Sequence, residues 1–164
     1  MTFEQFVVAQ GPSLLRLAFV LTGDRHLAQD LTQTALADAY RHWRKVAAAR
    51  DPGAYARRML VNAHLSWRRR RWTTERPTEL ADAAGGLAAD HGDGVAARQQ
   101  MRALLAGLAP RARTVLVLRY YADLDDEAIA ETMGVRPSSV RATASRALAS
   151  LRESAALEAV EETR

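Results

Sequence analysis

Cysteine is absent from this chain, and that removes several chemistries at once. Disulfides, zinc fingers, thiol catalysis and a thiol redox switch all require it. Lysine is nearly absent too: of 23 basic residues, only Lys45 is not arginine. A GC-rich genome also raises arginine and alanine, so abundance says little and clustering says more. No run of about 18 or more apolar residues stands out, so no membrane span is expected. The opening Met1-Thr2-Phe3-Glu4-Gln5-Phe6 has neither the basic region nor the cleavage motif of a secretory signal, and a cytoplasmic place is expected. Phosphate-cradling loops of the G-x-x-x-x-G-K-[ST] kind are missing, as is a strand-linked G-x-G-x-x-G. The histidines His26, His42, His64 and His91 show no H-E-x-x-H spacing. The expectation is a protein that is not an enzyme, with no cofactor, no metal and no small-molecule substrate. Period-two alternation is lacking as well, which leaves an all-α fold.

What is present is an uneven charge. Residues 1–76 carry 13 basic and 6 acidic side chains, residues 77–97 carry 4 acids and no base, and residues 98–164 carry 10 bases and 9 acids. Residues 73–97 hold Pro77, Gly85, Gly86, Gly92 and Gly94 and few large apolar groups. Such a segment buries too little surface to offset its ordering entropy, so it reads as a flexible linker. It separates two small helical domains: 1–72, and 98–153 followed by an acidic tail, 154–164. Domains this small have modest cores and gain from docking on a partner.

The N-terminal domain carries helical periodicity throughout. Phe6, Leu14, Leu17, Ala18 and Leu21 form an apolar stripe, with a break expected near Gly11-Pro12. Leu27, Leu31, Ala35, Ala39 and Trp43 step by four, which predicts one helix over 27–43. Asp51-Pro52 supplies an N-cap followed by proline at the first helical position. In the helix that follows, Ala56, Met59, Leu60, Ala63 and Trp67 share a stripe, and Arg57, His64, Arg68 and Arg71 fall on the polar stripe beside it. In the C-terminal domain Met101, Leu104, Leu105 and Leu108 form a short helix. A second runs from Ala109-Pro110 through Tyr120.

Residues 124–152 are the most informative stretch. Asp125 caps a helix whose buried face is Ile129, Ala130 and Met133, and Gly134 ends it. Pro137 opens a second helix that is basic and free of acids up to Arg152. This is the layout of a helix-turn-helix, whose second helix enters the major groove. Val140, Ala144, Ala147, Leu148 and Leu151 should face inward, and Ser138, Ala142, Ser145, Arg146 and Ala149 outward, with Ser139 and Arg141 on the flanks. Small outward residues let the backbone sit deep in a groove, where Arg141 and Arg146 reach base edges or phosphates. Ser138 and Ser139 suit a phosphate at the positive helix start. The bland alternative is an amphipathic helix with solvated arginines.

A second basic feature lies upstream. Arg68, Arg69, Arg70 and Arg71 are consecutive and are bracketed by Trp67 and Trp72. Like charges this close repel, and a polyanion relieves them. Trp72 lies beyond the apolar stripe and can stack on an unpaired base, whereas Trp67 fits the core better. Arginines also suit the negative end of a helix dipole, so a solvated terminus is the competing reading.

Three motifs in order resemble the extracytoplasmic-function sigma factors of bacterial RNA polymerase, and most of all their actinobacterial sigma-E-like group. Gly23-Asp24 with Ala28-Gln29-Asp30-Leu31-Thr32-Gln33 is similar to one family segment. Asp51 to Asn62, running into the arginine tetrad, is similar to the helix that reads and opens the promoter. Leu116 to Arg152 is similar to the family's final helix-turn-helix. The resemblance implies a sigma factor that binds core RNA polymerase, recognises and melts promoter DNA and directs promoter-specific transcription initiation. It implies that Asp30, Leu31 and Gln33 contact polymerase. It places Asn62, His64, Arg68, Arg69, Arg70, Arg71 and Trp72 at the minus-ten element, and Ser138, Ser139, Arg141, Ala142, Ser145 and Arg146 at the minus-thirty-five element. An anti-sigma factor is a further partner of such proteins. The chain departs from the family pattern at Thr143 and Ser145, where basic residues and histidine are frequent, and at Asp126, where an aromatic is frequent. Two other classes fit the residues alone: a stand-alone helix-turn-helix regulator on paired half-sites, and a helical adaptor with incidental basic patches.

Overall fold

The computed structural model describes residues 1–74 and 94–163; the side chains of 71–74, 94, 95, 97 and 98 fall outside that description. The fold is helical, with no strand among the described residues. Two compact units divide it, one holding α1–α4 and the other α5–α8. Most of the expected linker lies outside the described residues. At its two edges α4 runs to Thr74 and α5 begins at Gly94.

The first unit starts with α1 (Phe3–Thr22), closed at its start by a capping box. Thr2 Oγ1 accepts from the Gln5 amide at 3.3 Å, and Gln5 Oε1 accepts from the Thr2 amide at 2.9 Å. The break expected at Gly11-Pro12 does not occur, and α1 is continuous through Pro12. Proline removes one amide from the ladder. Pro12 and Val8, whose carbonyl loses that amide, both belong to the exposed side, so the carbonyl is left open to solvent rather than to the core. The opposite side, with Phe6, Leu14, Leu17, Ala18, Phe19 and Leu21, is buried, and its packing favours continuing the helix through the proline. By length and composition alone, α1 is also the one helix among the described residues long and apolar enough to cross a membrane. Its contacts with α2 and α4 account for that apolarity as the core of this unit.

Gly23 takes the left-handed conformation, φ 68°, that ends α1. Asp24 then caps α2 (Arg25–Arg41), its Oδ1 accepting from the Leu27 amide at 2.9 Å. The single helix expected over 27–43 is two helices. The chain bends at His42, and α3 (Trp43–Ala48) follows. The bend turns Trp43 into an aromatic cluster, its ring centroid 5.3 Å from Phe3 and 5.2 Å from Phe6. Burying aromatic area outweighs one more helical residue. The last helix, α4 (Pro52–Thr74), begins as its sequence requires, with Asp51 Oδ1 accepting from the Ala54 amide at 2.9 Å. It buries Ala56, Leu60, Val61 and His64.

The second unit comprises α5 (Gly94–Ala106), α6 (Pro110–Leu116), a π-helical turn (Val117–Tyr121), α7 (Asp126–Met133) and α8 (Pro137–Glu162). The long helix expected from Pro110 to Tyr120 therefore changes winding at Val117. The inserted residue keeps Val117 and Leu118 buried and leaves Tyr120 and Tyr121 exposed. Of the apolar residues read as one short helix, Met101 is 52% exposed and Leu108 lies beyond the end of α5. The core joins Val115, Leu116, Val117 and Leu118 to Ile129, Ala130, Val140, Ala144 and Ala147. The tail residues beyond Glu153 continue α8 to Glu162.

Gly134 sets the angle between α7 and α8. Its φ is +67°, and an added Cβ would meet nothing within 4 Å. Gly134→Ala should therefore cost about 1 kcal/mol of stability through backbone strain alone. Denaturant titration checks this, and a neutral result would mean that the turn relaxes.

Candidate nucleic-acid interface

Helix α8 presents one continuous outward face. Ser138, Ser139, Arg141, Ala142, Ser145 and Arg146 are all exposed. Val140, Ala144 and Ala147 on the opposite side are buried. The periodicity of 3.6 residues produces both faces, so this set was readable from sequence. Asp125 fixes the start of α7, accepting from the Ala128 amide at 2.8 Å. Pro137 fixes the start of α8. The Ser139 amide is already engaged, donating to the Arg136 carbonyl at 3.0 Å. Ser139 therefore has its side chain, rather than that amide, to offer a phosphate.

Sequence reasoning missed the carboxylate beside this face. Asp126, at the start of α7, forms an ion pair with Arg119 of the π-helical turn. Its other oxygen, Oδ2, lies 3.8 Å from Nη1 of Arg141. The bond to Asp126 raises the Arg119 pKa above its already high ordinary value, so that guanidinium stays charged. Asp126 and Arg141 are too far apart in sequence for any periodicity to pair them. The only local signal was an acid in the first turn of a helix, which a dipole argument already explains.

The first unit offers a different surface. Along α4, Asn62, Arg69 and Arg70 are exposed and Arg68 is half-buried. Arg71 and Trp72 have side chains outside the described residues. His64, assigned to the polar stripe, is instead 2% exposed. It packs toward α2, at the floor of a hollow of about 140 Å³ lined also by Leu27, Asp30, Leu31, Trp67 and Arg70. The apolar face of α4 is wider than the stripe of Ala56, Leu60 and Ala63, because α1 and α2 both pack on it. That extra width takes in Val61 and His64. Buried there, His64 is not positioned to touch a nucleic-acid strand.

On α2, Asp30 and Gln33 are exposed, whereas Leu31 is 9% exposed and turned into the same hollow. Leu31 is thus a core residue of the α2–α4 contact rather than a surface contact beside Asp30. Chemically, the first unit offers a carboxylate and an amide on α2 and a guanidinium cluster at the end of α4. The second offers a helix face of hydroxyls, a methyl and two guanidinium groups, which matches the edges and phosphates of a duplex groove.

The sequence matches the family described as Sigma-70 region 2 over residues 6–74. It matches the family described as Sigma-70, region 4 over residues 98–151. It is 39% identical over 153 residues to the RNA polymerase sigma-E factor of Streptomyces avermitilis, covering 92% of this chain and 83% of that one. The RNA polymerase sigma-E factor of Streptomyces coelicolor is also 39% identical over 153 residues, with 92% and 84% covered. Among solved structures, the fold is similar to the sigma factor RpoE of Bartonella quintana, solved in complex with the anti-sigma factor NepR. The TM-score is 0.76 at 21% identity, covering 92% of this chain and 94% of that one. It is also similar to CnrH, solved in complex with the cytosolic domain of CnrY, with a TM-score of 0.60 at 22% identity and coverages of 96% and 88%.

Proposed function

Because this chain belongs to the extracytoplasmic-function sigma factors of bacterial RNA polymerase, we propose that its two helical units divide promoter recognition between them. A sigma factor binds core RNA polymerase and directs promoter-specific transcription initiation; it is a regulatory factor, and the polymerase carries out the chemistry. The first unit, residues 1–72, docks on polymerase through Asp30 and Gln33 of α2. Its arginine cluster, Arg68 to Arg71, with Asn62 and Trp72, holds the minus-ten element as it melts. The second unit, residues 98–153, reads the minus-thirty-five duplex through Ser138, Ser139, Arg141, Ala142, Ser145 and Arg146. Residues 73–97 span the two elements, and the protein acts where polymerase acts, in the cytoplasm.

The observation that carries this reading is the exposure of two arginine-bearing faces, one in each unit of a single short chain. Exposed cations near phosphates release counterions, which supplies affinity; hydrogen bonds to base edges supply sequence. Melting costs a few kcal/mol per unstacked step, offset by captured bases and phosphate contacts. Both solved neighbours are held by another protein, one of them named an anti-sigma factor. An anti-sigma factor that masks these same faces is therefore part of the proposal.

The test is transcription from a genomic library by core polymerase with and without this protein. New, discrete start sites are expected only when it is present. No promoter-dependent start would sink the proposal. A footprint by the free protein on a palindrome would point to a stand-alone regulator instead.

A further inference from the structure

One carboxylate in the second unit is surrounded by guanidinium groups from separate elements. Asp126 is held by Arg119, and Arg141 approaches its other oxygen at 3.8 Å. Ser145 and Arg152, further along α8, line the same hollow. The Asp126 side chain is only 19% exposed, whereas that of Arg141 is 57% exposed. The carboxylate is therefore the fixed member of the pair and Arg141 the one that reaches solvent.

This geometry changes what Arg141 can do. An unrestrained arginine side chain has many rotamers, and ordering it opposes binding. A guanidinium presents donors along more than one edge. With one side of the group drawn toward Asp126, a different edge stays open toward solvent, the arrangement a bidentate contact to a guanine edge requires. The cost is electrostatic, since a carboxylate beside a duplex repels its phosphates whatever their sequence. Arg119 prevents Asp126 from swinging away to relieve that repulsion.

We propose that Asp126 is a positioning residue for base reading: Arg119 anchors its carboxylate, and the carboxylate orients Arg141 toward one base pair. The proposal rests on the assignment of Arg141 to duplex contact made above. It makes Asp126 a determinant of specificity that lowers general affinity for DNA. Asn at this position keeps the shape and removes the charge, so both effects should reverse together.

The test uses the full chain bound to core polymerase. Duplexes randomised across the upstream element are selected, and base preferences are compared for the wild type, Asp126→Asn, Asp126→Glu, Arg141→Ala and the double variant Asp126→Asn with Arg141→Ala. Arg141→Ala should erase the preference at one base pair. Asp126→Asn should weaken the preference at that same base pair by about fivefold and bind scrambled duplex about twofold to threefold more tightly. In the double variant, Asp126→Asn should cause no further loss of base preference, and Asp126→Glu alone should retain most of the preference. Thermal melting of each variant separates these effects from a folding defect, which would flatten every position alike. Flattening at all positions, or an unchanged preference at the position read by Arg141, overturns the proposal. If Arg141→Ala alters no position, the assignment of Arg141 fails as well, so the two failures are told apart by that single variant.

Discussion

Replacing Arg69 and Arg70 together by alanine should reduce promoter-dependent initiation by roughly a hundredfold. Each is exposed on the last described turns of α4, and in the proposed function each would supply a charge-assisted hydrogen bond to the melting strand. Such bonds contribute about 1.5 kcal/mol or more apiece, and about 1.4 kcal/mol is a factor of ten in an equilibrium. Open-complex formation should also depend less steeply on salt, the slope falling by about 0.7 for each single-strand phosphate no longer neutralised. Thermal melting of the variant separates this loss from any change in stability. The control is Arg16→Ala with Arg25→Ala, which removes the same two charges from exposed positions elsewhere in the unit. That control should retain initiation. Equal losses in the two variants would mean that net charge matters and the location of the cluster does not, contradicting the assigned surface.

Phe6→Ala should remove much of the stability of the first unit, about 3–5 kcal/mol. Phe6 is fully buried, and its ring lies 6.3 Å from Phe3 and 5.2 Å from Trp43 between centroids. Removing it empties a site walled by α1 and α3 together, so no single side chain can collapse to fill it. A unit of this size has roughly 4–10 kcal/mol in total. Denaturant unfolding together with hydrogen exchange should show α1–α4 opening far more readily. Val8→Ala, two residues away but 78% exposed, should change stability by under about 0.5 kcal/mol. If the two variants unfold alike, the aromatic cluster is not the core of this unit.

The surfaces assigned from sequence survive unevenly in three dimensions, and the pattern has a physical basis. On α8 all six residues proposed for duplex contact are exposed, because α5, α6 and α7 pack on it and bury the side that carries Val140, Ala144 and Ala147, leaving the other to solvent. On α4 the same reasoning misplaced His64. That helix is packed by both α1 and α2, so its buried arc is wider than a single amphipathic stripe. Leu31 was misplaced for the reciprocal reason: it sits on the α2 face that closes on α4. Periodicity within one helix cannot report how many neighbours the helix acquires.

Sequence alone determined the helical character of both units, the capped starts at Asp51 and Asp125, the left-handed end at Gly134, and the outward face of α8. Each of these depends on groups within about four residues of one another, so the chain encodes them locally. Tertiary structure decided the continuity of α1 through Pro12, the turn of Trp43 onto Phe6, the burial of His64 and the meeting of Arg119, Asp126 and Arg141. Those features arise where separate helices compete for the same space or the same charge. That competition is resolved only when the whole unit packs.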